Sequence, residues 1–189
     1  MDRQLGSLVG HHAACTCGVA WFDTHYNRRR LLQVTAGSFL AAALAPYAFA
    51  ASGKYEAMVL ACIDPRMQEP VRMYTAGRHL TGKYSQFTIA GAAIGVVASA
   101  FKDWHKTFWD NLDASIQLHN IDKVIVINHR DCGAAKIAYG EVAVADPAAE
   151  TKTHRDALAE FRKQLAARHP QLGVETGLMA LDGTFEVMS

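Results

Sequence analysis

Two short stretches carry residue types suited to metal chemistry. "VLACIDPRMQ" (59–68) sets Cys62, Asp64 and Arg66 at alternate positions straight after an apolar run. "VIVINHRDCGAAK" (124–136) ends a β-branched run on His129 and places Cys132 three residues later. Two thiolates and an imidazole form a Cys2His set of the kind that catalytic zinc uses, with a fourth position left for water or substrate. Thiolate ligands select a soft or borderline ion. A cysteine at a helix N-terminus is further helped toward the thiolate. Asp64 beside Arg66 makes a charge-paired carboxylate, held ionised and oriented. Positions 62, 64 and 66 would alternate along a continuing strand; in a loop at a strand end all three can turn toward one pocket. A second use of the sulfurs stays open, a Cys62–Cys132 disulfide in an oxidising compartment. Metal content separates the two.

These residues need elements that bring their strand ends together. Residues 55–63, "YEAMVLACI", form a short apolar run and read as a buried strand, and "SQFTIAG" (85–91) reads as a second. Residues 103–120 space Trp104, Phe108, Trp109, Leu112 and Ile116 as a helix does. The run 122–129 is almost continuously apolar, as expected of a central parallel strand. A short helix is expected over 132–140 and a charged amphipathic one over 149–170, closed by Pro170. Residues 174–188 hold a glycine turn between extended pieces, a hairpin or a last strand. This alternation indicates an α/β domain with a mainly parallel sheet of about four strands flanked by helices. In such sheets ligand chemistry gathers outside the carboxyl ends of the strands, where Cys62 and His129 both fall.

The first fifty residues are of another kind. "NRRRLLQVTAGSFLAAALAPYAFAASG" runs from basic to modestly apolar to small residues, with Ala48 and Ala50 around Phe49, the order of a secretory signal. Its "NRRRLLQ", with Arg28 and Arg29 as the pair, resembles a twin-arginine export signal. Gln33, Thr35, Gly37, Ser38 and Pro46 interrupt the apolar run and make it a poor permanent membrane span. The expected organisation is a removed leader, 1–50, and one domain, 51–189, delivered to the periplasm. His11, His12, Cys15 and Cys17 could hold a soft metal, although their spacing fits no common zinc motif and they would leave with the leader. The remaining pair of the four cysteines is Cys62 and Cys132. A net charge of +1 for the whole chain, with half its residues hydrophobic, gives no sign of a nucleic-acid face.

Cys-x-Asp-x-Arg after a first strand, followed by His-x-x-Cys-Gly after a later one, resembles the β-class carbonic anhydrases over roughly residues 55–185. That resemblance implies zinc held by Cys62, His129 and Cys132. It also implies a catalytic dyad of Asp64 and Arg66, with Asp64 either orienting the zinc-bound water or serving as a fourth ligand. It further implies a four-stranded parallel sheet and a homodimer or larger homo-oligomer. Carbon dioxide and bicarbonate would be the substrate pair, hydrated through a zinc-bound hydroxide that exists near neutral pH because zinc lowers the water pKa to about 7. His79, His105 and His119 are the candidates for a proton shuttle. The family's Arg-Asn-Ala-Gly-like run is replaced here by "TIAGAA" (88–93). This change leaves open another small substrate, carbon disulfide or carbonyl sulfide, or a catalytically silent zinc protein.

Overall fold

The computed structural model of the protein describes residues 54–189. The expected leader, with Arg28, Arg29, His11, His12, Cys15, Cys17 and the cleavage point after Ala50, lies outside the described residues. Five strands form one sheet: β1 (Ala57–Ala61), β2 (Tyr84–Thr88), β3 (Lys123–His129), β4 (Gly173–Met179) and β5 (Phe185–Val187), in the order β2-β1-β3-β4-β5. The first four are parallel, and β5 pairs antiparallel with β4. The C-terminal stretch therefore provides both a parallel strand and a short hairpin partner, one strand more than the four expected.

β1 and β3 are buried along nearly their whole length because alternate residues supply two different cores. Met58, Leu60, Val124 and Val126 face one side with Phe108, Leu158 and Phe161. Val59, Ala61, Ile125 and Ile127 face the other with Met67 and Val71. Each fully buried large side chain contributes about 1.5–3 kcal/mol, so these two strands form the stable centre on which the loops are built.

Helices cover both faces. α1 (Gln68–Gly77) follows β1, and its Pro70 is tolerated because it lies in the first turn, where backbone N–H groups have no helical partner. α2 (Ala93–Val97) and the long α3 (Lys102–His119) join β2 to β3. α3 stops at Asn120, which takes the left-handed conformation at φ 47. α4 (Gly133–Tyr139) leaves the end of β3, and α5 (Pro147–Arg168) leads to β4. The Asp146 carboxylate accepts the backbone N–H groups of Ala148 and Ala149 at 2.8 and 2.9 Å, and Pro147 opens the helix, so the start of α5 is fixed. Among the described residues no helix is long and apolar enough to cross a membrane.

The strand order places the site. From β1 the chain moves to one side, to β2; from β3 it moves to the other, to β4. The connections diverge between neighbouring β1 and β3, which opens a crevice at their carboxyl ends.

Candidate metal centre

Cys62 follows the last residue of β1, and His129 is the last residue of β3. The parallel register puts Ala61 beside Ile127, so the two strands end together. The chain then reverses through Arg130 and Asp131 and delivers Cys132 as the residue that caps α4. One ligand atom from each of Cys62, His129 and Cys132 lies within 4.8 Å of the others, and all three residues are buried. The cysteines are free thiols. They sit in a small-residue cluster with Ile94, Ala134, Ala135 and Ala157, which closes the crevice from below.

The imidazole is set for ligation. His129 Nδ1 lies 2.8 Å from the Arg130 carbonyl, to which it can only donate, and this fixes the tautomer that leaves Nε2 bare. Nε2 is buried and has no hydrogen-bond partner. A buried acceptor facing two sulfurs is costly as a neutral group and natural as a metal ligand. The Cys132 S–H beside it holds the Cys62 thiol well below the usual range, against the effect of burial; His129 and the Gly91 N–H, 3.2 Å from Cys62 Sγ, act in the same direction. Cys132 is pushed up, first by Cys62 and then by burial. Two thiolates this close repel each other, and a cation between them would relieve that repulsion. Burial pulls His129 down, but Cys62, the Arg130 carbonyl and Asp64 outweigh it and raise the ring net. The donor set and its unpartnered nitrogen fit zinc.

The strand-end loop after Cys62 does turn its charged residues together. Asp64 caps a short 3-10 turn, Pro65–Met67, and Oδ1 accepts the Arg66 N–H at 2.9 Å. The Arg66 side chain also grips both carboxylate oxygens, Nε to Oδ1 at 3.0 Å and Nη2 to Oδ2 at 2.7 Å. These hydrogen bonds hold the Asp64 carboxyl down to about 2. Its Oδ2 stands 4.0 Å from His129 Nε2, at the edge of the ligand cluster. A polar cleft of about 340 Å3 opens over this point, lined by Asp64, Arg66, Asp131, Cys132, Lys136 and Glu150. An apolar cleft of about 380 Å3 begins at Ile63, beside Cys62, and continues along Phe87, Ile89, Ala90 and Trp104.

Other sequence-predicted residues fall elsewhere. His105 Nε2 lies 2.9 Å from the Ala98 carbonyl, and His119 Nδ1 lies 2.7 Å from Ser85 Oγ. Neither they nor His79 line the two clefts. Phe108 and Trp109 belong to the core, whereas Trp104, 40 % exposed, forms a wall of the apolar cleft. The "TIAGAA" stretch contributes backbone: Gly91 donates to Cys62 Sγ, and the Ala93 N–H donates to Asn128 Oδ1 at 3.0 Å. Gly91 has φ +80, and a Cβ there would stand 3.0 Å from the Cβ atoms of Ala134 and Ile94, so glycine is required on both counts.

Sequence reasoning missed three residues around the cluster. Asn128 and His154 are fully buried and 3.0 Å apart. Glu150, on α5, accepts the Asp131 N–H at 2.5 Å. The unbroken apolar character of 124–127 disguised Asn128 as one more strand position, and Glu150 and His154 lie in a helix rich in charge.

Comparison with known proteins agrees with this geometry. Residues 52–172 match the family described as "Putative carbonic anhydrase". An uncharacterized protein of Rickettsia bellii is 31% identical over 129 residues, which are 68% of this chain and 79% of that one. A second, from Rickettsia conorii, is 30% identical over 129 residues, covering 68% of this chain and 69% of that protein. Among solved structures, a carbonic anhydrase from Streptococcus mutans aligns with TM-score 0.50 at 16% identity, over 84% of this chain and 96% of its own. A structure from work on two tetrameric beta-carbonic anhydrases of Sordaria macrospora aligns with TM-score 0.51 at 12% identity, over 85% of this chain and 95% of its own. At such identities the structural likeness speaks for the fold.

Proposed function

The chain belongs to the family described as "Putative carbonic anhydrase", and from that premise we propose that it is a zinc enzyme that interconverts carbon dioxide and bicarbonate. The observation that carries the proposal is the buried convergence of Cys62, His129 and Cys132 around a bare Nε2, with the Arg66-clamped Asp64 carboxylate at its edge. Cys62, His129 and Cys132 would hold the ion, which when bound supplies Lewis acidity that lowers the pKa of water to about 7.

The chain's own groups do the rest. Asp64 stays ionised throughout the working range because Arg66 holds it down. It is therefore an acceptor, and it can orient an O–H at the cluster without giving up a proton of its own. Arg66 fixes the aim of that carboxylate at the cluster's edge by holding both of its oxygens. The apolar cleft at Ile63, Phe87 and Trp104 suits an uncharged, linear substrate, while Arg66 and Lys136 in the polar cleft suit an anionic product. Because His79, His105 and His119 do not line these clefts, the proton would leave through water in the polar cleft rather than through one of them.

Assembly and export complete the proposal. The tetrameric Sordaria macrospora enzymes support a homo-oligomer, checked by light scattering on the purified protein. The arginine pair and small residues of 1–50 support export to the periplasm after folding, which would let zinc load before the thiols meet an oxidising space. The deciding experiment is a stopped-flow, pH-indicator hydration assay on zinc-loaded full chain. Hydration abolished by removing the metal supports the proposal. Stoichiometric zinc without hydration would contradict it, and turnover of carbonyl sulfide or carbon disulfide by such a sample would move the substrate while keeping the site.

A further inference from the structure

Between the ligands His129 and Cys132 stand two residues, and a single side chain from another helix holds both. The β3 ladder runs one bond past His129, the Arg130 N–H donating to the Met179 carbonyl at 2.9 Å. The chain then reverses at Asp131, which has φ +55, before Cys132 returns to φ −84 and starts α4. A left-handed backbone costs an L-residue about 1–2 kcal/mol, although aspartate tolerates it better than most. Such a conformation persists where its surroundings over-determine it.

Glu150 supplies that constraint. Its Oε1 accepts the Asp131 N–H at 2.5 Å, and its Oε2 accepts from Arg130 Nη1 at 3.1 Å. The same Arg130 nitrogen also donates to Thr151 Oγ1 at 3.0 Å, and a second guanidinium nitrogen lies 3.6 Å from Glu186. Glu150 is itself buried, 9 % exposed, and it stands in the first turn of α5, where the helix dipole favours a negative charge. From the opposite side Arg66 Nη2 donates to the Asp131 carbonyl at 3.0 Å. The Asp131 peptide groups are therefore gripped at both ends, by Glu150 on the N–H and by Arg66 on the carbonyl. Without the Glu150 carboxylate, the Asp131 N–H would lose its acceptor and Arg130 would keep only Thr151 and Glu186.

We propose that Glu150 is a positioning residue for the metal: by holding the reversal at Asp131 it sets the separation of His129 Nε2 and Cys132 Sγ that the ion requires. This inference rests on the zinc reading of the cluster. Glu150 is not a ligand, and it acts through the backbone of Asp131. A merely structural role, as a staple between α5 and the sheet, would lower stability without changing the affinity or geometry of the metal site.

The test measures zinc affinity of the full chain by competition with a chromophoric chelator, and the thiolate-to-metal absorption of the cobalt(II) form. Glu150→Ala should bind zinc about 10–100-fold more weakly than the parent and alter the cobalt spectrum. Glu150→Gln, which keeps an acceptor oxygen for the Asp131 N–H, should recover most of that loss. Leu165→Ala, in the core under the same helix, should lower the melting temperature but leave zinc affinity within about two-fold of the parent. Should Glu150→Ala not fold, Glu150→Asp, which keeps the charge but draws the oxygens back from Asp131, decides the matter by the same measurements. Zinc affinity and cobalt spectrum unchanged in whichever of the two folds, or an equal loss of affinity in Leu165→Ala, would overturn the role of Glu150 while leaving the zinc site intact. A parent that binds no zinc would overturn the zinc reading and this inference with it.

Discussion

Arg66 Nη1 lies 2.6 Å from the carboxylate of Asp131, while its Nε and Nη2 hold Asp64. One guanidinium thereby ties the loop after β1, which carries Cys62, to the loop after β3, which carries His129 and Cys132. The planar fork can satisfy two carboxylates at once in a way that a lysine ammonium cannot. The pairing is more than half-covered at Asp64 but open at Asp131, whose side chain is 75% exposed. Its worth lies in geometry more than in stability.

Arg66→Ala should therefore leave zinc content nearly unchanged while reducing hydration, by about 10–100-fold if Asp64 behaves as other residues that support metal ligands do. Released from its partner, the carboxylate is free to turn onto the ion or to lose its aim. Elemental analysis and stopped-flow hydration on one sample check both halves. An unchanged hydration rate would reduce the pair to a surface contact.

Gly91→Ala should destabilise the fold and the cluster together. The φ of +80 alone costs an alanine about 1–2 kcal/mol, and the added methyl must also push against Ala134 and Ile94. Because Gly91 N–H donates to Cys62 Sγ, zinc binding should weaken as well. Urea denaturation and chelator competition give the two numbers. Parent-like stability in this variant would show that the turn relaxes without cost.

His154 gives the fold a pH dependence of known sign. Burial first, then the charges of His129 and Arg130, lower its pKa from 6.5 to about 4. Above about 6.5 the ring is neutral in both folded and unfolded chains and contributes no slope. As pH falls from 6.5 toward 4 the unfolded chain takes up a proton that the folded one resists, so stability is lost, reaching on the order of 3 kcal/mol below both values. His154→Gln, whose side-chain oxygen can still accept from Asn128, should remove this part of the slope. Denaturation curves of parent and variant near neutral pH and near the lower value isolate it, because Cys62 and His129 titrate in both. Parallel pH profiles would contradict the assignment.

The cluster was legible in the sequence because the strands ending at Cys62 and His129 announce themselves. An apolar run must stop where a charged one begins, and in a parallel sheet those ends meet on one edge. The pairing of Asp64 with Arg66 was legible for the same reason, since in a loop at a strand end both side chains can turn to one side. What holds the ligands was not. Glu150 is one of many charged residues in α5, and nothing in its neighbours separates a side chain that turns inward from those that turn to water. α1 was hidden because Pro70 interrupts the pattern at a position where a helix start tolerates it, and α2 because "AIGVV" has the β-branched composition of a strand. The hairpin strand β5 was one of two alternatives for residues 174–188, and pairing with β4 decided between them.

The central claim is that Cys62, His129 and Cys132 hold the zinc. Elemental analysis of purified full chain and of Cys132→Ala, side by side, tests it most directly. The difference between the two should be one zinc per chain, whatever else the N-terminal segment binds, and the variant should also lose stability because binding and folding of such a site are coupled. Equal zinc content in parent and Cys132→Ala would contradict the account.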